Sequence, residues 1–228
     1  MLDFQWMASH LDELAARTLQ HIVLAAIAVA VGLLISFGLA VLAVRRRATY
    51  GPILAATDIL YTIPSLALFV VLVTVTGISL LTVEIPLILY TLVIFVRNIA
   101  AGFDSIPADV LEAAQGLGYT ARQQLWRVEV PLAVPLILAG VRLATVSTIA
   151  LVTVTSVLGD RFGGLGYFIL EGYRRSFPTE LYFGAIPSVV LALLADFALA
   201  RVQRRLTPWQ RTEQPVVPPP FVKSDAWI

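Results

Sequence analysis

The sequence predicts an all-α integral membrane protein with about five transmembrane helices, and three observations predict it. Of the 228 residues, 58% are hydrophobic and only 14% are charged, against roughly 25% charged in an ordinary soluble domain. The mean hydropathy is +0.85, and the apolar residues gather into runs approaching the ~20 residues that a helix needs to cross about 30 Å of hydrocarbon. The arginines cluster at the ends of those runs with a strong bias to one side, as the positive-inside rule describes for a multi-pass chain.

Residues 1–20 carry Asp3, Asp12 and Glu13 and read as a short extracytoplasmic segment. The first span, residues 21–44, is "HIVLAAIAVAVGLLISFGLAVLAV", stopped by Arg45, Arg46 and Arg47. A secretory signal has its positive charge before a shorter apolar region, so this is a retained span with its N-terminus outside. Within it Gly32, Ser36 and Ala40 recur every fourth residue. That spacing lets helices approach closely, and it also arises by chance in an Ala/Gly/Val-rich helix. The second run covers about residues 59–78 and the third about 85–96, ending at Arg97 and Asn98. The link of 77–84 is short, so the two form a helical hairpin. The fourth span is 132–158 and the fifth 181–200, followed by "RVQRR".

Five spans that start outside end inside. The inner segments then hold Arg45, Arg46, Arg47, Arg97, Arg122, Arg127, Arg201, Arg204, Arg205, Arg211 and Lys223, and the outer ones Arg17, Arg161, Arg174 and Arg175. The tail, residues 207–228, is rich in proline, a composition that predicts a disordered cytoplasmic extension.

Between the third and fourth spans lies a polar cytoplasmic segment, 104–131. Pro107 suits a first helical turn, and Asp109 and Glu112 suit the positive end of a helix dipole. "ADVLEAAQ" places Val110, Leu111 and Ala114 on one apolar face. Gly116 and Gly118 supply a stop, since glycine takes the left-handed backbone that helix ends use. Thr120, with Gln123 three residues later, fits a capping box. The second helix, "ARQQLWRVEV", runs to Pro131 and into the fourth span. The prediction is a helix, a glycine turn and a helix that continues into the membrane.

Several chemistries are excluded. There is no cysteine, hence no disulfide or thiolate site, and His10 and His21 belong to no ligand motif. No phosphate loop of the form G-x-x-x-x-G-K-[ST] occurs. Gly159, Gly163, Gly164 and Gly166 follow a membrane helix, so they form no dinucleotide fingerprint. Nothing reads as a catalytic triad or carboxylate pair, and nothing points to nucleic acid. The chain is not expected to be an enzyme. Asp58, Glu84, Arg97, Arg142 and Asp196 are the ionisable residues near or within spans, where charge marks function by default. Arg142 lies eleven residues past Pro131, roughly 16 Å of helix, near the middle of the bilayer. It is a candidate to line or gate a path, or to meet a partner or interface; the other four are expected to pair or anchor near span ends. Tyr167, Phe168, Tyr173 and Phe177 read as interfacial aromatics, and alternatively as faces for a quaternary amine.

The polar segment resembles the cytoplasmic signature of ABC-importer permeases, E-A-A, three residues, G, nine residues, I-x-L-P. Here it is Glu112, Ala113, Ala114, then Gly118, then Val128-x-Val130-Pro131. The competing reading is an ordinary amphipathic loop between spans. "GDRFGGLGYFILEGY" is similar to the Gly-Gly-Leu-Gly element of importers for quaternary amines and for methionine. "IPSLALF", "FVRNIAAGFDSIPADVLEAAQGLG" and "PLAVPLILAGVRLATV" look like the osmoprotectant branch, with Asp160, Arg161 and Phe162 standing where relatives commonly have small residues.

The resemblance covers residues 20–206. It implies the MetI-like fold of type I ABC importer permeases and a place in the bacterial inner membrane. It implies uptake of glycine betaine, choline or carnitine, with ATP and Mg on a separate ATP-binding subunit. Glu112, Ala113, Ala114, Gly118 and Pro131 would serve ATPase coupling, and Gly163, Gly164 and Gly166, with Arg142, a path or gate. An extracytoplasmic solute-binding protein and a second permease copy, identical or related, complete the implied partners; no cofactor sits on this chain. A permease for methionine or another small solute is the rival within the class. An ion-coupled secondary transporter leaves the E-A-A segment unexplained, and a scaffold or receptor leaves Arg142 and the glycine loop unexplained.

Overall fold

Residues Leu11–Arg45 form one uninterrupted helix, α2, preceded by a single short one, α1 (Phe4–Ser9), whose first turn is capped by the Asp3 side chain. The structure is a computed structural model and describes residues 2–211. α2 starts well before the apolar run because the preceding residues are mostly good helix formers, with Asp12 and Glu13 in the first turn. The main-chain N–H of Asp3 donates to Thr179 Oγ1 at 3.0 Å. The Trp6 ring meets Phe177 and Phe183 edge-on at 5.3 and 5.4 Å. The N-terminus is thereby fastened to the start of the last long helix.

The second apolar run departs from expectation. Instead of one helix over 59–78, α3 (Arg47–Thr62) stops and α4 (Ser65–Thr76) leaves at 89° to it. Pro64 is the cause. It has no N–H, and its ring drives the preceding residue from the helical region, leaving Ile63 extended at φ −68°, ψ 125°. α5 (Leu80–Asp104) extends past the expected third span at both ends, and beyond residue 96 its polar residues find partners. Arg97 donates to Asp58 on α3 at 2.6 and 3.1 Å, and Asn98 donates to the Ile94 carbonyl.

Next come α6 (Ala108–Gly116), α7 (Ala121–Gln124), a π-helical turn (Leu125–Glu129) and α8 (Val130–Val154), which tightens into a 3-10 turn, Thr155–Leu158. The expected outer loop contains a helix, α9 (Gly166–Arg174), and α10 (Pro178–Leu206) ends the bundle. Among the described residues, four stretches are long and apolar enough to cross a membrane: α2, α5, residues 121–158 and α10. The bent pair α3–α4 makes a fifth if it counts as one span. The proline-rich tail lies, past Arg211, outside the described residues.

α2, α5 and α8 pack on one another, and α10 packs on α8 and α9. One apolar cluster joins Leu24, Ala28, Phe69, Leu87 and Val152, and a second, toward the Arg45 end, joins Ala40, Phe95, Ile99, Phe103 and Ala133. Gly32, Ser36 and Ala40 are all buried. A Cβ on Gly32 would fall 1.9 Å from Thr91 Oγ1 of α5, so the small-residue repeat is the seam where the two helices meet.

Candidate functional site

The polar segment folds as its local chemistry dictates. Leu111, Val110 and the buried Ala114 turn α6 toward the apolar cluster at the Arg45 end, while Glu112 and Ala113 stay exposed. Gly118, at φ +78°, ends the helix: its N–H donates to the Gln115 carbonyl at 2.9 Å, and that of Tyr119 donates to Ala114 at 3.2 Å. These two bonds are the paired closure of a Schellman stop. The capping box then starts α7. Thr120 N–H donates to Gln123 Oε1 at 2.9 Å and Gln123 N–H to Thr120 Oγ1 at 3.3 Å. Pro131 has no N–H to give Arg127, and its ring crowds that carbonyl. The turn before it widens, with the Val130 N–H bonding the Leu125 carbonyl five residues back. The helix still enters α8 without a gap.

Both ends of this segment are tied to the arginine run. Arg45 Nη2 donates to both oxygens of the buried Glu129 at 3.0 and 3.1 Å, and Gln124 Nε2 donates to Glu129 at 2.9 Å. Arg47 bonds Asp104 at 2.7 Å. The sequence showed Arg45 and Arg47 as stop charges; the structure adds that they hold the first and last residues of the helix–turn–helix against α2 and α3.

Arg142 meets Asp196 of α10 through Nε at 2.9 Å and Nη2 at 3.0 Å, and Gln203 through Nη1 at 3.2 Å. Asp196, expected near a span end, therefore lies opposite Arg142. The pair opens on a groove of about 510 Å³ lined by Leu143, Val146, Val189 and Leu193. Glu84, expected to pair or to anchor near a span end, is 5% exposed, and neither carboxyl oxygen has a partner among the described residues.

Gly163, Gly164 and Gly166 are buried against the protein itself. A Cβ on Gly166 would sit 2.1 Å from the Thr153 carbonyl, and one on Gly164, at φ +49°, would press on the His21 ring. His21, fully buried, takes the Leu165 N–H on Nδ1 at 3.3 Å and donates Nε2–H to the Ile149 carbonyl at 2.9 Å. Gln20 bonds both Gly164 and Arg161, and Arg17 donates to the Asp160 carbonyl. The glycine loop is docked on the start of α2. Among the aromatic candidates, Phe168 is core and packs edge-on with Phe183, Phe177 meets Trp6, and Tyr173 is exposed. The Tyr167 face is taken by the Arg17 guanidinium, 3.9 Å from its centroid.

A cavity that sequence reasoning did not find lies at the helix break. It measures about 460 Å³ and is lined by Tyr61, Pro64, Ser65, Tyr90, Ser147 and Thr148, among others. The Tyr90 hydroxyl donates to the Ile63 carbonyl left open by Pro64. The available signal was the proline within an apolar run: irregular backbone at membrane depth is tolerated where it lines a cavity.

The family described as "Binding-protein-dependent transport system inner membrane component" matches residues 28–211. The choline transport system permease protein OpuBB of Bacillus subtilis is 33% identical over 204 residues, covering 90% of this chain and 93% of that protein. The osmoprotectant import permease protein OsmW of Salmonella typhimurium is 38% identical over 208 residues, 89% and 96% of the two chains. The glycine betaine/carnitine/choline permease protein OpuCB of Bacillus subtilis is 32% identical over 196 residues, 86% and 89%. Among solved structures, an inward-facing MetNI methionine ABC transporter superposes with a TM-score of 0.72 at 20% identity, covering 90% of this chain and 98% of that one. That likeness carries the fold alone.

Proposed function

Because the chain belongs to the family of inner-membrane components of binding-protein-dependent transport systems, we propose that it is the permease subunit of an ATP-driven importer for osmoprotectants such as glycine betaine, choline or carnitine. The observation that carries the solute class is the 32–38% identity, over nearly the full length, to permeases named for these solutes. In this reading ATP and Mg act on a separate ATP-binding subunit. An extracytoplasmic binding protein delivers the solute at the glycine-loop end, and a second permease copy, identical or related, completes the path. The N-terminus faces outside and the C-terminus the cytoplasm.

The helix–turn–helix is the coupling element. Exposed Glu112 and Ala113 are free to enter a groove on the ATPase, while Ala114 anchors α6 to the bundle. Gly118 fixes the angle between α6 and α7, and continuity through the π turn and Pro131 carries a push into α8. A loop without such ties would absorb the push instead.

Gly118→Asp and Glu112→Lys test this. At φ +78° a residue with a Cβ costs roughly 1–2 kcal/mol, and Glu112→Lys reverses a docking charge without touching the core. Both variants should insert normally, lose co-purification of the ATPase or hydrolyse ATP without uptake, and so lower solute accumulation by about tenfold or more. Normal uptake with an intact complex in both would refute the coupling role. Accumulation of methionine by the wild type, with betaine and choline ignored, would move the chain to the rival solute class.

A further inference from the structure

We infer that the cavity at the break between α3 and α4 is a transit site for a quaternary ammonium solute within this chain. The inference rests on the osmoprotectant reading above and gives that solute a place to pause in the membrane.

Four observations converge there. The Tyr61 and Tyr90 rings stand at 70° with centroids 5.6 Å apart, a two-walled aromatic corner, and Tyr61 is 54% exposed, so its face is open. A trimethylammonium group has no N–H to donate and is held by aromatic faces better than by hydrogen bonds. The break also presents opposite helix ends to one space. α3 points its carbonyl end, with partial negative charge, at the cavity through Thr62 and Ile63, and α4 points its N–H end through Ser65. A zwitterion with a cationic head and a carboxylate matches that polarity, as broken helices in transporters do for their substrates.

Thr148 is the third observation. It is 1% exposed and lines the cavity. The hydroxyls of Thr62 and Thr91, which line it too, donate to the Ile59 and Ile88 carbonyls. Thr148, on α8, is placed to meet the carboxylate of betaine or the hydroxyl of choline. Finally, among the described residues no Asp, Glu, Lys or Arg lines the cavity. A full countercharge would trap a permanent cation, whereas aromatic faces and dipoles release it, which transit requires. The volume of about 460 Å³ falls within the range of small-molecule sites. The Tyr167 face, the other candidate, is already covered by Arg17.

The chain has no cysteine, which allows a direct test. Ser147→Cys is introduced on the cavity wall of the assembled transporter in membrane vesicles, and its modification by a thiosulfonate reagent is timed. Tetramethylammonium, glycine betaine and choline should each slow it, and 3,3-dimethylbutan-1-ol, the uncharged carbon analogue of choline, should not. Adding Tyr61→Leu should raise the half-protecting concentration by about 2- to 30-fold, the loss of one cation–π contact, and Tyr61→Phe should leave it unchanged. Equal protection by the alcohol, no protection by the cations, or indifference to Tyr61→Leu overturns the site. Uptake of betaine and choline by wild-type vesicles is measured in parallel. Uptake without protection overturns the site and keeps the osmoprotectant reading; protection without uptake overturns that reading and keeps the site; the absence of both overturns both.

Discussion

Arg142 reaches Asp196 through two bonds and Gln203 through a third, so removing its charge leaves an acid on α10 facing an apolar groove without its partner. Arg142→Met should destabilise the protein by about 1–3 kcal/mol, below the value for a fully buried pair because the two side chains are 34% and 41% exposed. Arg142→Met with Asp196→Asn should recover much of that loss. The check is thermal unfolding of the purified protein; additive losses in the double variant would show that the pair contributes nothing. The sequence displayed both charges and the depth of one, but their pairing depends on how α8 and α10 meet, which no local pattern encodes. His21 makes the same point more sharply. Its partners are main-chain atoms 128 and 144 residues away, and a backbone carbonyl or amide has no signature in a sequence. Glu84, expected to pair or to anchor near a span end, has no hydrogen-bond partner among the described residues.

The helix–turn–helix was the most legible element because every device in it is short-range. A glycine stop, a capping box and an apolar face each depend on residues within one or two turns. The break at Pro64 was visible as a residue and missed as a structure: hydropathy over 59–78 averages across a proline, whereas the backbone cannot. What the sequence could not display was the attachment of the segment's two ends to the arginine run, since Arg45 and Glu129 lie 84 residues apart. Glu129 is buried, so Glu129→Ala removes its bonds to Arg45 and Gln124 together, a loss of about 1–3 kcal/mol. Amide exchange across 108–130 should then speed up roughly tenfold or more. Exchanging the charges, Arg45→Glu with Glu129→Arg, should restore part of the protection. Unchanged exchange in Glu129→Ala would mean that the ion pair does not hold the segment.

For the whole molecule, the fold class and the Arg45 end of the first span were readable from hydropathy, whereas α2 (Leu11–Arg45) begins well before its apolar run and α10 (Pro178–Leu206) runs past the expected 181–200. Orientation rests on the arginine distribution, with Arg45, Arg46 and Arg47 at one end of the bundle and the glycine loop at the other. With no native cysteine, a single Ser176→Cys should be modified by an impermeant maleimide added from outside, and Gln123→Cys should be modified only after the membrane is opened. Both positions are exposed, so the reverse pattern would invert the topology. The fastening of α1 to α10 bears on how the chain is made. Asp3 bonds a residue 176 positions later in the chain, so synthesis from the N-terminus delivers α1 long before its partner exists. At roughly 5–20 residues per second the wait is about ten to thirty seconds. Through that interval Trp6 lacks Phe177 and Phe183, and a nascent chain stalled before the last helix presents an unsatisfied N-terminus to whatever machinery surveys unfinished membrane proteins.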